Sequence, residues 1–202
     1  MAEILDSKLD RVRKFYYQDL LSARMISVEL NVSIDAVYYF MRKHKMKRRG
    51  LSEHNAATFF HKPQSFSLKE NLSAKEKKLK LLGIVLYWCE GYKAKGGTNV
   101  DFANSDPKMI FSFMKFLREI CGIEEKKLRI LVYCYSNQNP LEIIEFWSKL
   151  VKVSPSQFSK PYIKDNYRLD KVGKMPHGLI HIRYGDKKLR DLLIRWIGEL
   201  KS

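Results

Sequence analysis

The chain has 202 residues, 45% of them hydrophobic and 12% aromatic, which excludes a chain disordered by composition and suits one domain of ordinary size plus a small one. Lys and Arg number 38 against 22 Asp and Glu, a formal net charge of +16. A polyanion is therefore the expected partner, with a solvated basic surface as the bland alternative.

Residues 1–49 read as a self-contained helical unit. The opening segment MAEILDSKLD carries early acids and no apolar stretch, unlike a secretion signal. From Leu21 to Lys43 the chain reads LSARMISVELNVSIDAVYYFMRK. Ser22 is placed to cap a helix with Met25, Ile26 and Leu30 on one face, and Ser33 to cap a second with Val37 and Phe40 or Met41 inward. Asn31 sits between them, where the turn requires a left-handed residue. Ser27 is small enough for a tight helix crossing. This segment resembles the helix-turn-helix of many bacterial and phage regulators. The resemblance implies that the helix from Ile34 to His44 enters the major groove of DNA. Residues Ser33, Asp35, Tyr38, Tyr39 and Arg42 would then face bases or phosphates, followed by the basic run Lys43, Lys45, Lys47, Arg48 and Arg49.

Residues 50–72 show little apolar periodicity and read as a linker, which Phe59, Phe60 and Phe66 would pin to a neighbouring surface. Ser73-Ala-Lys-Glu76 fits a capping box, opening a helix from Ala74 to about Glu90 that stops at Gly91, a good left-handed C-terminal residue. Its run Leu81 to Cys89 is the longest apolar stretch and falls well short of the roughly 20 residues needed to span a membrane. Val100 to Ala103 reads as a strand. Asp106-Pro107 starts a helix to about Cys121, with Asp106 as its cap. A strand at Leu128–Tyr135, a helix at Pro140–Lys152, strands at Phe158–Lys164 and Leu179–Tyr184, and a helix from Leu189 to Leu200 complete an α+β domain over 73–202. Cys89, Cys121 and Cys134 lack zinc-ligand spacing and read as reduced core thiols of a cytoplasmic, nucleoid-associated protein.

The stretch Leu81–Tyr92 (LLGIVLYWCEGY), the strand at Val100 and the Asn104-Ser-Asp-Pro107 helix start resemble, in that order, the LAGLIDADG homing endonuclease family. Glu90 falls on the family's second acid and Gly91 on the glycine after it. Val85 and Trp88 depart from the motif's glycine and first acid. The resemblance implies a homodimer through helix 74–90, a near-palindromic double-stranded DNA target, and Mg2+ held by Glu90 for phosphodiester hydrolysis, with Lys93 or Lys95 steadying the phosphate. The local chemistry of Glu90 points the same way, since a carboxylate in the last helical turn faces the negative end of the dipole unless a cation offsets it. An exposed glutamate beside Lys93 and Lys95 is the alternative.

Within the strands, Lys127, Arg129, Tyr133 and Tyr135 alternate with apolar residues. Lys160, Tyr162 and Lys164 share a face with Phe158, while His181 and Arg183 oppose Ile180 and Ile182. One basic and aromatic face suits a sheet laid on a nucleic-acid groove, and also an ordinary wet antiparallel face. His177 and His181 lie four apart without a carboxylate partner, a weak zinc signal. The expectation is a sequence-specific double-stranded DNA-binding protein: either an endonuclease of this type or, as Val85 and Trp88 favour, a non-catalytic transcriptional regulator. An RNA-binding or structural module is a third reading.

Overall fold

The computed structural model describes residues 4–165, 173 and 175–201. It divides the chain into a unit Met1–Pro63 and a unit Gln64–Ser202. In the first unit, α1 (Leu9–Arg13) opens into a wide turn over Lys14–Gln18, where the Asp19 amide donates to the Lys14 carbonyl at 2.9 Å. Left-handed Leu20 (φ 56°) ends this turn. The Ser22 hydroxyl accepts from the Met25 amide at 3.2 Å and starts α2 (Ala23–Leu30). Asn31 takes the left-handed conformation (φ 52°, ψ 49°), and the Ser33 hydroxyl accepts from the Ala36 amide at 3.1 Å to start α3 (Ile34–Lys43). Val12, Tyr16, Ile26, Val37, Phe40 and Met41 close a small core. Ser27 is buried, its hydroxyl donating back to the Arg24 carbonyl at 2.8 Å.

The segment expected as a linker is divided between the units. Its first half forms α4 (Leu51–His61), opened by the Gly50 amide donating to the Glu53 carboxylate at 3.0 Å. This helix buries little beyond Ala57, so it carries no apolar stripe for periodicity to detect. The second half is a strap on the other unit. Phe66 enters the core, the Ser67 amide donates to the Gly122 carbonyl at 3.1 Å, and the Lys69 amide to that of Ile120 at 2.9 Å. Gly122 is left-handed (φ 56°), and a Cβ there would lie 2.2 Å from the Ser67 carbonyl oxygen.

The second unit follows with α5 (Ala74–Glu90), β1 (Val100–Asn104), α6 (Pro107–Glu119), β2 (Leu128–Tyr135), α7 (Pro140–Val151), β3 (Tyr162–Lys164), β4 (Leu179–Tyr184) and α8 (Lys187–Glu199). Asp106 caps α6, accepting from the Lys108 amide at 2.7 Å, and Ser73 with Glu76 closes the capping box of α5. The sheet order is β1-β4-β2-β3. It is mixed rather than antiparallel throughout. The crossover through α7 returns the chain in the direction of β2, so β3 pairs with β2 in parallel. One face buries Phe102, Ile130, Val132, Ile180, Ile182 and Tyr184 against the helices. Phe113 of α6 stacks on Phe102 at 4.1 Å. Gly83 lets α6 approach α5, because a Cβ there would lie 2.1 Å from the Phe116 ring.

Two local expectations are corrected. Phe158 does not share the face of Tyr162 and Lys164: it bridges to Ile130 and packs on the core, whereas Tyr162 stands opposite Tyr133. Four steps from 158 to 162 thus run beside three of β2 from 130 to 133, and the extra residue reverses the phase. Gly91 is extended (φ −75°, ψ 146°), not left-handed. It bridges to Phe102, and a side chain there would run into the Tyr87 ring, 2.3 Å from an added Cβ.

Candidate nucleic-acid interface

The first unit divides its cations between structure and solvent. The Arg49 guanidinium donates to the carbonyls of Leu20 (3.0 Å) and Leu21 and lies 4.1 Å over the Tyr16 ring, while its own amide donates to the Tyr16 hydroxyl at 3.0 Å. Arg48 sits over the Tyr38 ring at 4.8 Å. Lys43 and His44 both reach Asp6, at 2.8 and 3.0 Å, and these contacts hold the Asp6 carboxyl below its ordinary value. The Ser33 side chain is engaged as the α3 cap. What remains exposed on and beyond α3 is Ile34, Asp35, Tyr39, Arg42, Lys45 and Lys47. Among the described residues, Arg42, Lys45 and Lys47 have no carboxylate partner.

At the end of α5 the predicted trio separates. Glu90 is exposed in the last turn. The Lys93 ammonium turns back onto the carbonyls of Tyr87 (3.3 Å) and Gly91, a cation on the carbonyls that end the helix. Lys95 lies exposed in the following loop. Among the described residues no group of three or more His, Cys, Asp or Glu is arranged to hold a metal ion. Along the same helix, Leu81 (50% exposed), Leu82 (44%), Val85 and Trp88 (38% each) form one apolar flank, continued by exposed Cys89. Cys89 is therefore not a core thiol; it falls on the side of α5 away from buried Ile84, Leu86 and Tyr87. Cys121 and Cys134 are buried, and burial pushes the Cys121 thiol up to about 12.

The open face of the sheet is graded along its strands. Asp101, Arg183 and Arg129 form one cross-strand row, and Ala103, His181 and Leu131 the next. Leu179, Tyr133 and Tyr162 follow, with Tyr135 opposite Lys164 beyond them. Asp101 accepts from His181 Nδ1 at 2.9 Å and Arg183 Nε at 2.8 Å. Burial pushes its carboxyl up, but the His181 and Arg183 contacts outweigh this and hold it below the ordinary value. Arg129 Nη1 folds back onto the carbonyls of Lys126 (2.8 Å) and Leu128 (2.7 Å). Three rings cross β4, β2 and β3 in a row. The His181 and Tyr133 centroids are 4.9 Å apart, as are those of Tyr133 and Tyr162.

No protein-family model, curated protein or solved structure matches this chain. The candidate interface rests on its own geometry.

That geometry brings Arg129, Tyr133, Tyr135, Lys164, His181 and Arg183 onto one face, as the alternation predicts. It does not bring Lys127 or Lys160 there. Lys127 ends a short turn over Glu125–Lys127 before β2, and Lys160 is exposed in the non-strand segment ahead of Pro161. His177 stacks on Phe146 at 3.5 Å while His181 serves Asp101, so the two histidines have different partners. Sequence reasoning gives Asp101 no role on this face. The signal was an acid at an outward position of a strand whose partner strand carries a cation at the matching outward position. It also missed Arg190, 5% exposed, whose guanidinium donates to the Ala94 carbonyl at 2.6 Å and packs on Gly97. No helix among the described residues is long and apolar enough to cross a membrane.

Proposed function

We propose that the protein binds double-stranded DNA at specific sequences, with α3 as the element that enters the major groove. The observation that carries this reading is the α2–Asn31–α3 turn. Its two serine caps and left-handed asparagine fix α3 so that Asp35, Tyr39 and Arg42 stand exposed together, with Lys45 and Lys47 just beyond. Asp35 accepts from a cytosine amino group, the tyrosines meet thymine methyls or phosphates, and the cations meet phosphates. The open sheet face supplies a second contact through Arg129 and Lys164.

The second unit reads as a LAGLIDADG-like domain that pairs with another copy through α5. The apolar, exposed flank Leu81–Leu82–Val85–Trp88 supports this pairing. A two-fold dimer takes a near-palindromic target. Selection from a random duplex library, followed by binding across a salt series, tests the reading. An enriched palindrome and affinity that falls steeply with salt are expected. No enriched sequence, or affinity insensitive to salt, sinks it.

A second reading adds phosphodiester hydrolysis. It is favoured by the position of Glu90 in the last turn of α5, where a dimer through that helix would supply one carboxylate from each copy. Those two Glu90 carboxylates are the groups that would hold Mg2+, whose chemistry is to activate water and stabilise charge on the scissile phosphate. Val85 and Trp88, bulky on the same flank, favour the regulator instead. Magnesium-dependent cleavage lost in Glu90→Gln supports hydrolysis; sequence-specific binding without cleavage in any divalent metal leaves the regulator.

A further inference from the structure

We propose that the ring row His181–Tyr133–Tyr162 stacks on unpaired bases, so that the second unit takes nucleic acid with single-stranded stretches. This rests on the nucleic-acid reading above and names a substrate class within it. Three observations carry it. The rings are spaced 4.9 Å apart in sequence across three adjacent strands, an aromatic band rather than scattered residues. Tyr162 is 56% exposed, on an edge strand whose three residues are all open to solvent. Cations flank the band: Lys164 lies on the same face beyond Tyr162, Lys160 is exposed in the segment just ahead of β3, and Arg129 lies toward the other end.

A duplex keeps its base faces stacked inside the helix and offers an aromatic surface only its edges, phosphates and sugars. An unpaired base has a free face, and its backbone carries the negative charge that the flanking lysines match. The arrangement at Asp101 adds selectivity of position. By holding His181 Nδ1 and Arg183 Nε, Asp101 fixes the imidazole beside Tyr133 and offsets part of the positive charge at that end of the face. Among the described residues, Lys160 and Lys164, toward β3 where the most exposed ring stands, have no carboxylate partner.

The test uses the full chain and three fluorescent probes of equal length at one low salt concentration: an oligothymidine, the same strand with abasic sugars, and a blunt duplex. Anisotropy gives each affinity. The oligothymidine is expected to bind about tenfold or more tighter than the abasic strand, since stacking is strong for each base. Tyr162→Ala should lose about tenfold on the oligothymidine and less than about twofold on the duplex, with Tyr162→Phe restoring the loss, because the ring and not the hydroxyl stacks. Abasic and thymidine strands binding alike, or Tyr162→Ala weakening both remaining probes equally, overturns the proposal while leaving duplex recognition intact. Base-dependent single-strand binding with no duplex binding supports it and removes the duplex reading. Binding to none of the probes overturns both.

Discussion

The two units hold themselves together by different means. The second covers one sheet face with four helices and buries a large aromatic core, in which Phe113 stacks on Phe102 and tilts against Phe116, and Gly83 is cut back to make room. The first has only a handful of buried apolar side chains, as a short chain must. It compensates with point ties: two serine caps, one left-handed asparagine, and an arginine that pins the chain after α3 to the turn before α2. Both units nevertheless spend some cations on structure, Arg49 in the first and Lys93, Arg129 and Arg190 in the second, and leave others to solvent. Net charge alone does not tell these uses apart.

Breaking the two kinds of support should have unequal effects. Phe116→Ala removes a ring seated against Gly83 and Phe113 and should destabilise the second unit by about 3–5 kcal/mol. All three tryptophans, Trp88, Trp147 and Trp196, lie in that unit, so tryptophan fluorescence in a urea titration reads its unfolding selectively. Arg49→Ala leaves two carbonyls and a tyrosine face without their cation and should cost the first unit about 2 kcal/mol. That loss should appear in far-UV circular dichroism with the tryptophan transition unmoved. A tryptophan midpoint that shifts with Arg49→Ala would erase the contrast.

How much of this was legible follows from the range of the interactions. Ser22, Asn31 and Ser33 announce their turn because caps and left-handed residues act over three or four positions, and both caps form where the spacing put them. The helix 74–90 and its capping box were equally local. The sequence offers Arg49 only as one more cation of the basic run, because its partners, Leu20, Leu21 and Tyr16, lie far back in the chain. The strap at Ser65 is similarly hidden, since Ser65 meets Asp186 and Tyr184 across more than a hundred residues. The phase of Tyr162 turned on one extra residue before the strand, which alternation cannot count.

Acid should weaken the second unit. Burial pushes the Asp186 carboxyl up, but bonds from Ser65 and from the Leu189 and Lys188 amides outweigh that and hold it below its ordinary value, as His181 and Arg183 do for Asp101. A depressed folded value means stability present above the ordinary aspartate value and lost as pH falls through the folded one. The tryptophan-detected urea midpoint should thus hold near neutrality and fall below about pH 4. Asp186→Asn should lower the midpoint at neutral pH and flatten its acid dependence. A smaller and purely local effect is expected at Ser33, where loss of the α3 cap by Ser33→Ala should cost the first unit about 1 kcal/mol without touching the tryptophan signal.

The least effect on stability and the most direct bearing on function belong to Arg42. It is exposed on α3, and no carboxylate among the described residues neutralises it. Arg42→Ala should leave both unfolding transitions within about 0.5 kcal/mol, as exposed substitutions do. If α3 meets DNA, the same change should weaken duplex binding several-fold and lower the slope of log affinity against log salt by about 1, the signature of one lost phosphate contact. Arg49→Ala makes the converse prediction, because its guanidinium is held by the fold: at temperatures where the first unit stays folded, the salt slope should not change. Two arginines seven positions apart in one basic run would then separate cleanly, one moving the salt slope and not stability, the other moving stability and not the salt slope. Equal slopes for both variants would mean that the division of cations between structure and ligand, read from their partners, does not govern binding.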